Sequence, residues 1–360
     1  MTDTVNAAVA PVFLINEKPV PDLARDCQHL AVQEGVEGMR TLEARFIAVG
    51  AGATGPATRM LYLDGSLDFG KAIKVAVGPD SARRIIFDGL ISAIEVIYEE
   101  GEPPIVAVHA EDPLMKLRMT RRMRTYRDVT DADILTELAG LHGLTAKPEV
   151  DGPRYAVVQQ VNQSDLAFLR SRARLIRAEL WCDGQILHLA SRPQRHGTAL
   201  TLVQGNDLLS VRICADLAHQ RSEVRITGYD VSARDAIDQR AGADAIDAEI
   251  TGGRTGPRIV ERALGASVSV RVRETAVQAG EATAWAKAEM LRRARRFVTV
   301  NGVTHGTPDM VVGSRLTLSR VGPPFEGDGY YVTHVRHSYD TIRKLRTRFE
   351  AERSTVNEGT

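Results

Sequence analysis

Apolar and polar residues alternate with a period of two through the first third of the chain. Ile73, Val75 and Val77 share one face of residues 71–77, and Phe13-Leu14-Ile15 and residues 42–49, 84–98 and 105–108 read as further strands. Pro19, Pro21 and Gly78-Pro79-Asp80 break the runs, and Gly89 marks a bulge or tight bend inside the longest one. Strands so close together, with no helix between them, predict an antiparallel barrel or sandwich.

The period changes at Leu114. Thr130 predicts a helix N-cap with Asp131 and Asp133 in the first turn, and Ile134, Leu135, Leu138 and Leu141 recur at helical spacing. Gly143 follows where a left-handed C-cap residue belongs. A strand at residues 155–158 leads to a second helix, capped by Ser164, with Leu166, Leu169, Ala173 and Ile176 inward. Residues 180–190 predict a hairpin turning at Asp183-Gly184.

Strands return after Arg195, at residues 208–213, 223–227, 267–272, 315–318, 330–337 and 344–350. One helix interrupts them between Gly280 and Phe297, with Glu289 and Arg293 spaced as an i, i+4 ion pair. Residues 241–257, rich in Gly, Ala and Asp, read as a mobile connector, and the polar residues 354–360 as a frayed end. The pattern predicts a mainly β chain with an α+β insert: a first β domain over 1–113, the insert over 114–195, a second β domain over 196–352 and a disordered tail over 353–360.

Composition narrows the function. The 46 basic residues equal the 46 acidic ones, so there is no basic excess to favour wholesale nucleic-acid binding. Aromatics are only 5% of the 360 residues against 30 glycines, which suits short strands and turns better than a large aromatic-lined pocket. Cys27, Cys182 and Cys214 are far apart and form no C-x-x-C pair, as expected of isolated thiols in a reducing compartment. No apolar run approaches the ~18 residues of a membrane span, and residues 1–10 lack the basic start of a signal peptide. The expectation is a protein made in the bacterial cytoplasm and kept there until its assembly leaves.

Candidate chemistry is sparse. Gly50-Ala51-Gly52-Ala53-Thr54-Gly55 matches G-x-G-x-x-G after an apolar strand. A dinucleotide site needs a long helix directly after the third glycine. Here Pro56 follows, then strand-like Leu61-Tyr62-Leu63, and the position about 20 residues on falls near Val75, not on a carboxylate. The glycines therefore read as loop formers. His334 and His337 are spaced H-x-x-H, but on a strand they point to opposite faces. Glu95, Glu99 and Glu100 scatter over solvent-type positions, and there is no G-x-S-x-G or H-E-x-x-H. Arg292, Arg293, Arg295 and Arg296 gather at a helix C-terminus, where cations complement the dipole, with a partner contact as the other reading. No catalytic, cofactor or metal residue is assigned.

An ordered set of short motifs resembles VgrG proteins and the phage late control gene D family. The central one runs from Tyr155 through Gln160, Asn162, Ser164 and Asp165 to Phe168-Leu169. Upstream stand Phe87, Gly89, Ile91, Ile94 and Glu95, then Tyr126 and Gly143-Leu144. Downstream stand Gly205, Asp207-Leu208, Gly228-Tyr229-Asp230, Ala286 to Leu291, Gly306-Thr307-Pro308, Phe325 to His337, and Arg346 to Glu350. The resemblance covers residues 10–352 and rests on fold markers: caps, turn glycines and core aromatics.

It implies a structural baseplate or tail hub of a contractile injection system, in a phage tail, a tailocin or an extracellular injection particle. The implied architecture is two β-barrel-like tube domains per chain, with strands within 196–247 as candidates to complete the first barrel, and three chains in a pseudo-sixfold ring. That ring adapts a hexameric inner tube to a trimeric spike, and inner tube, spike and other baseplate proteins are the implied partners. Full VgrG chains continue into a needle. This chain ends at Thr360, so the spike is expected on a separate polypeptide. The rival readings are a cofactor-binding enzyme using the glycine-rich loop and a tail component acting on peptidoglycan.

Overall fold

A computed structural model describes residues 10–50, 59–250 and 252–358. The chain is mainly β, 49% strand and 21% helix. Its frame is one sheet of thirteen strands, ordered Leu208–Ala215, Val298–His305, Lys344–Arg353, Gly327–Asp340, Cys27–Gly35, Thr41–Ile47, Ile105–Glu111, Arg84–Ile97, Ala72–Val77, Val12–Ile15 and Lys18–Pro19. Arg315–Ser319 also pairs with Gly327–Asp340, and Ala199–Val203 joins it in parallel. The seam is antiparallel and runs from His334 opposite Gly35 to Asp340 opposite His29. The two β segments thus share a sheet, and among the described residues no sheet closes into a barrel.

Alternation explains why these segments pair. Phe13, Phe46, Ile73, Val75 and Phe87 are fully enclosed under the first half of the sheet, and Val300, Tyr330, Val332 and Phe349 under the second. Burying each such side chain contributes about 1.5–3 kcal/mol. The long strand Arg84–Ile97 bends as expected, but the bulges flank Gly89. Ile86 and Ser92 are the unpaired extra residues. Gly89 itself is where the neighbouring backbone comes closest: a Cβ there would lie 2.4 Å from the Glu111 carbonyl oxygen.

The insert forms its own core. Thr130 and Asp133 make a reciprocal capping box at the start of helix Asp131–Leu141. Gly143, at φ 70°, ends that helix with the Leu144 amide bonding back to the Ala139 carbonyl. Leu141 is 51% exposed and lies outside the core. Helix Asp165–Leu175 buries Leu166, Phe168, Leu169 and Ala173, while Ile176 is its half-buried C-cap. The hairpin of Ala178–Asp183 and Ile186–Ser191 turns on Gly184 and Gln185, one residue later than expected, because Asp183 already pairs with Ile186. Ile226, Ile237, Ala276 and Trp285, from the third segment, complete this core.

Other expectations change. Residues 241–257 are not a free connector: helix Asp244–Asp247 buries Ile246 against Leu291 and Ala294, and Pro257 opens helix Gly256–Leu264. Residues 354–358 do not fray, because Thr355–Val356 pairs with Arg254–Thr255 and Asn357 accepts a hydrogen bond from Arg353. Pro21 is the first residue of helix Pro21–Asp26 rather than a breaker. Tyr62 sits in a turn, buried on Phe46, not in a strand.

Candidate functional site

Cross-strand partners share a sheet face, so the registers fix what each face offers. On one face Arg212, Asn301, Glu350 and His334 stand in a row across four strands. The next row continues through Ser210, Val303, Arg348, Arg336, Gln33, Thr41 and Glu111. These side chains are exposed or half-exposed. The row behind them on the opposite face is Thr347, His337, Val32, Leu42, Ala110 and Ile91, all buried. One face of the sheet is therefore a broad polar surface of mixed charge, with a shallow depression of about 440 Å³ between Ser210, Asn301, Arg336 and Arg348.

The sheet's last strand, Leu208–Ala215, has no strand along its outer edge beyond a single bridge at Gln204, among the described residues. Its sequence, Leu-Leu-Ser-Val-Arg-Ile-Cys-Ala, holds one charge. Natural edge strands are usually protected by charge, proline or a covering element.

Behind the sheet, a buried ionic junction ties the chain's three segments together. Glu34 accepts hydrogen bonds from Arg40 Nε at 2.9 Å and Arg195 Nη2 at 2.6 Å. Glu179 accepts from Arg195 Nη1 at 3.2 Å and the Tyr331 hydroxyl at 2.6 Å. Arg192 reaches Glu352 at 2.9 Å and lies over the Tyr331 ring. Burial alone would push the Glu34 carboxyl up, but Arg40 and Arg195 outweigh it and hold the group below its usual range. These carboxylates are engaged by guanidinium groups on several sides. That suits a rigid joint, not proton transfer.

A second buried carboxylate explains the central motif. Asp165 accepts from Gln160 Nε2 at 2.8 Å and Arg122 Nε at 2.9 Å, and its Oδ2 lies 2.7 Å from His142 Nε2. Phe168 stacks on Tyr126 at 5.7 Å. Gln160, Ser164, Asp165 and Phe168 hold the insert together.

The residues singled out from sequence do not converge. Of the glycine-rich motif only Gly50 lies within the described residues, in strand Val49–Gly50. His337 is buried with Nδ1 3.0 Å from the Thr347 hydroxyl, and burial pushes its pKa down to about 4. His334 points to the polar face. Glu95 lies 3.7 Å from His109 on the sheet surface, while Glu99 and Glu100 are exposed in a turn. Burial pushes the Cys27 and Cys182 thiols up to about 12, and Cys214 is exposed on the edge strand.

Of the arginine cluster, Arg292 and Arg293 bind Glu289, Arg295 binds Glu249, and Arg296 lies 3.5 Å from Glu352. The expected Glu289–Arg293 pair is present at 2.8 Å, and Arg271 joins it from the neighbouring strand. Sequence reading missed Glu34, Glu179, Arg192 and Arg195 altogether. No local signal marked them, because strand Cys27–Gly35, which carries Glu34, shows no clear period.

This fold is shared with tail proteins. The 43 kDa tail protein of prophage MuSo2 from Shewanella oneidensis aligns with a TM-score of 0.68 at 13% identity, over 96% of this chain and 98% of that one. A tail protein from Neisseria meningitidis MC58 aligns at 0.62 with 11% identity, covering 95% and 96%. An E. coli component of the type VI secretion system aligns at 0.56 with 12% identity, covering 93% and 76%. A VgrG complex from Francisella is a further fold neighbour, at 0.55 and 9% identity. The fold kinship expected from the motifs is therefore found, and no curated protein matches the chain by sequence. The family model that matches is not a late control gene D model: it is that of the Alg8 N-terminal domain, it aligns with residues 60–341, and the chain belongs to that family.

Proposed function

We propose that the chain is a structural tail or baseplate hub of a contractile injection particle. Three copies would form a ring joining an inner tube to a spike. The observation that carries this reading is the uncovered strand Leu208–Ala215 at the end of a thirteen-stranded sheet, in a fold shared almost end to end with tail proteins. An open, nearly uncharged edge is stable in solution when a neighbouring subunit covers it. The polar sheet face then lines a water-filled channel, and the core face stays dry. Residues 1–113 and 196–352 act as the two tube domains, sharing their sheet through the Gly35–His334 seam, with 114–195 as the insert. No catalysis belongs to this role, and the particle is its site of action.

The test is the double variant Leu209→Lys, Cys214→Lys, which charges two exposed positions of the edge strand. It should melt within about 2 °C of wild type, as surface changes do, yet fail to assemble. Assembly as tight as wild type would remove the edge strand from the interface.

A further inference from the structure

Residues of helix Asp165–Leu175 and its C-terminus, of strand Val268–Ala276 and of helix Ala279–Arg295 enclose a cavity of about 340 Å³. Its polar lining is dominated by guanidinium groups, Arg174, Arg177, Arg271 and Arg292, against one carboxylate, Glu289. Arg174 is neutralised by Glu37 at 2.8 Å. Glu289 is shared: Arg271 approaches it at 2.8 Å, Arg292 at 2.7 Å and Arg293 at 2.8 Å.

Arg177 is the anomaly. Its Nε is wholly out of solvent and has no hydrogen-bond partner, and no carboxylate lies within ion-pair distance of its guanidinium among the described residues. Burial, reinforced by Arg192 and Arg295, pushes it down to about 10, and Glu352 and Glu179 offset this only in part. The residue also follows the C-cap of its helix with φ 56°, a left-handed position that favours glycine. An unsatisfied Nε on a half-buried cation is costly, and an anion joining the guanidinium offsets that cost.

We propose that this cavity is an oxyanion site, taking one phosphate or carboxylate group on Arg177, with Arg271 and Arg292 flanking it and Leu175, Ile226 and Trp285 as the apolar wall. Planar guanidinium forks match both anions. The site does not depend on the assembly reading.

The experiment titrates the full chain with inorganic phosphate and, separately, with citrate at constant ionic strength, by calorimetry, for wild type and Arg177→Met. Wild type should bind one anion per chain, and Arg177→Met should bind it at least tenfold more weakly. Tighter phosphate binding assigns a phosphoryl occupant, and tighter citrate binding a carboxylate one. Without anion, Arg177→Met should melt no lower than wild type, because the charge it removes has no partner. Absence of saturable binding, equal binding by the variant, or a variant that melts well below wild type without anion would each overturn the site.

Discussion

Two of the molecule's buried ionic clusters differ in how their arginines are paired. In the junction, Glu34, Glu179 and Glu352 face Arg40, Arg192 and Arg195, with each acid held by at least one arginine. Arg271, Arg292 and Arg293 converge on Glu289, and Arg177 nearby has no ion pair among the described residues. In the junction Glu34, Glu179, Arg192 and Arg195 are all less than a tenth exposed. Each cluster borders a cavity, of about 350 Å³ beside Arg192 and Glu352 and of about 340 Å³ beside Glu289. What separates them is pairing: Arg192 meets Glu352 at 2.9 Å, whereas Arg177 has no carboxylate within ion-pair distance among the described residues.

The largest expected effect breaks the joint. Glu179→Gln removes the negative charge that faces Arg192 and Arg195 and puts an amide donor in place of one carboxylate oxygen in the buried junction, which should cost about 3–5 kcal/mol in denaturant unfolding. Glu289→Gln should cost less, about 1–2 kcal/mol, because Arg271 and Arg292 are a third or more exposed and water can replace the lost partner. Equal losses would mean that burial does not distinguish the clusters.

Acid probes the junction from its edge. His337 sits near Arg40, and its folded pKa of about 4 lies below its ordinary value. The unfolded state therefore takes up the proton first, and this group withdraws stability as pH falls from about 6.5 to 4. Asp112, which accepts from the Arg40 amide, is shifted the other way, up to about 6 by burial, so acid favours the folded state through it. The two groups oppose each other in the intact chain. His337→Gln should uncover the Asp112 contribution, gaining up to about 3 kcal/mol relative to wild type between pH 6.5 and 4. A constant difference between the two proteins over that range would contradict the assignment.

The smallest effect lies away from both clusters. Thr130→Ala deletes the capping box of helix Asp131–Leu141 and should cost about 1 kcal/mol, with assembly and anion binding unchanged.

Legibility followed the number of faces that meet water. Strands Ala72–Val77 and Arg84–Ile97 were readable because their polar residues, Lys74, Asp88 and Glu95, fall at the less buried positions between apolar ones. Strand Cys27–Gly35 was not, since Leu30, Ala31 and Val32 are all buried in succession and the period disappears. Arg121–Val129 is solvent-facing at almost every position and offers no period at all. In Val298–His305 the buried phase passes through Gly302, whose space is filled by Phe349. Helix caps were readable because Thr130, Ser164 and Gly143 act on near neighbours. The junction and the Arg177 cavity were not, because Glu34, Glu179 and Glu352 come together only in the fold.

The hub reading stands or falls on association. Light scattering of the purified chain, with images of the same sample, should give three times the 39.3 kDa chain mass and rings with an open centre. A compact monomer at every concentration tested would contradict it.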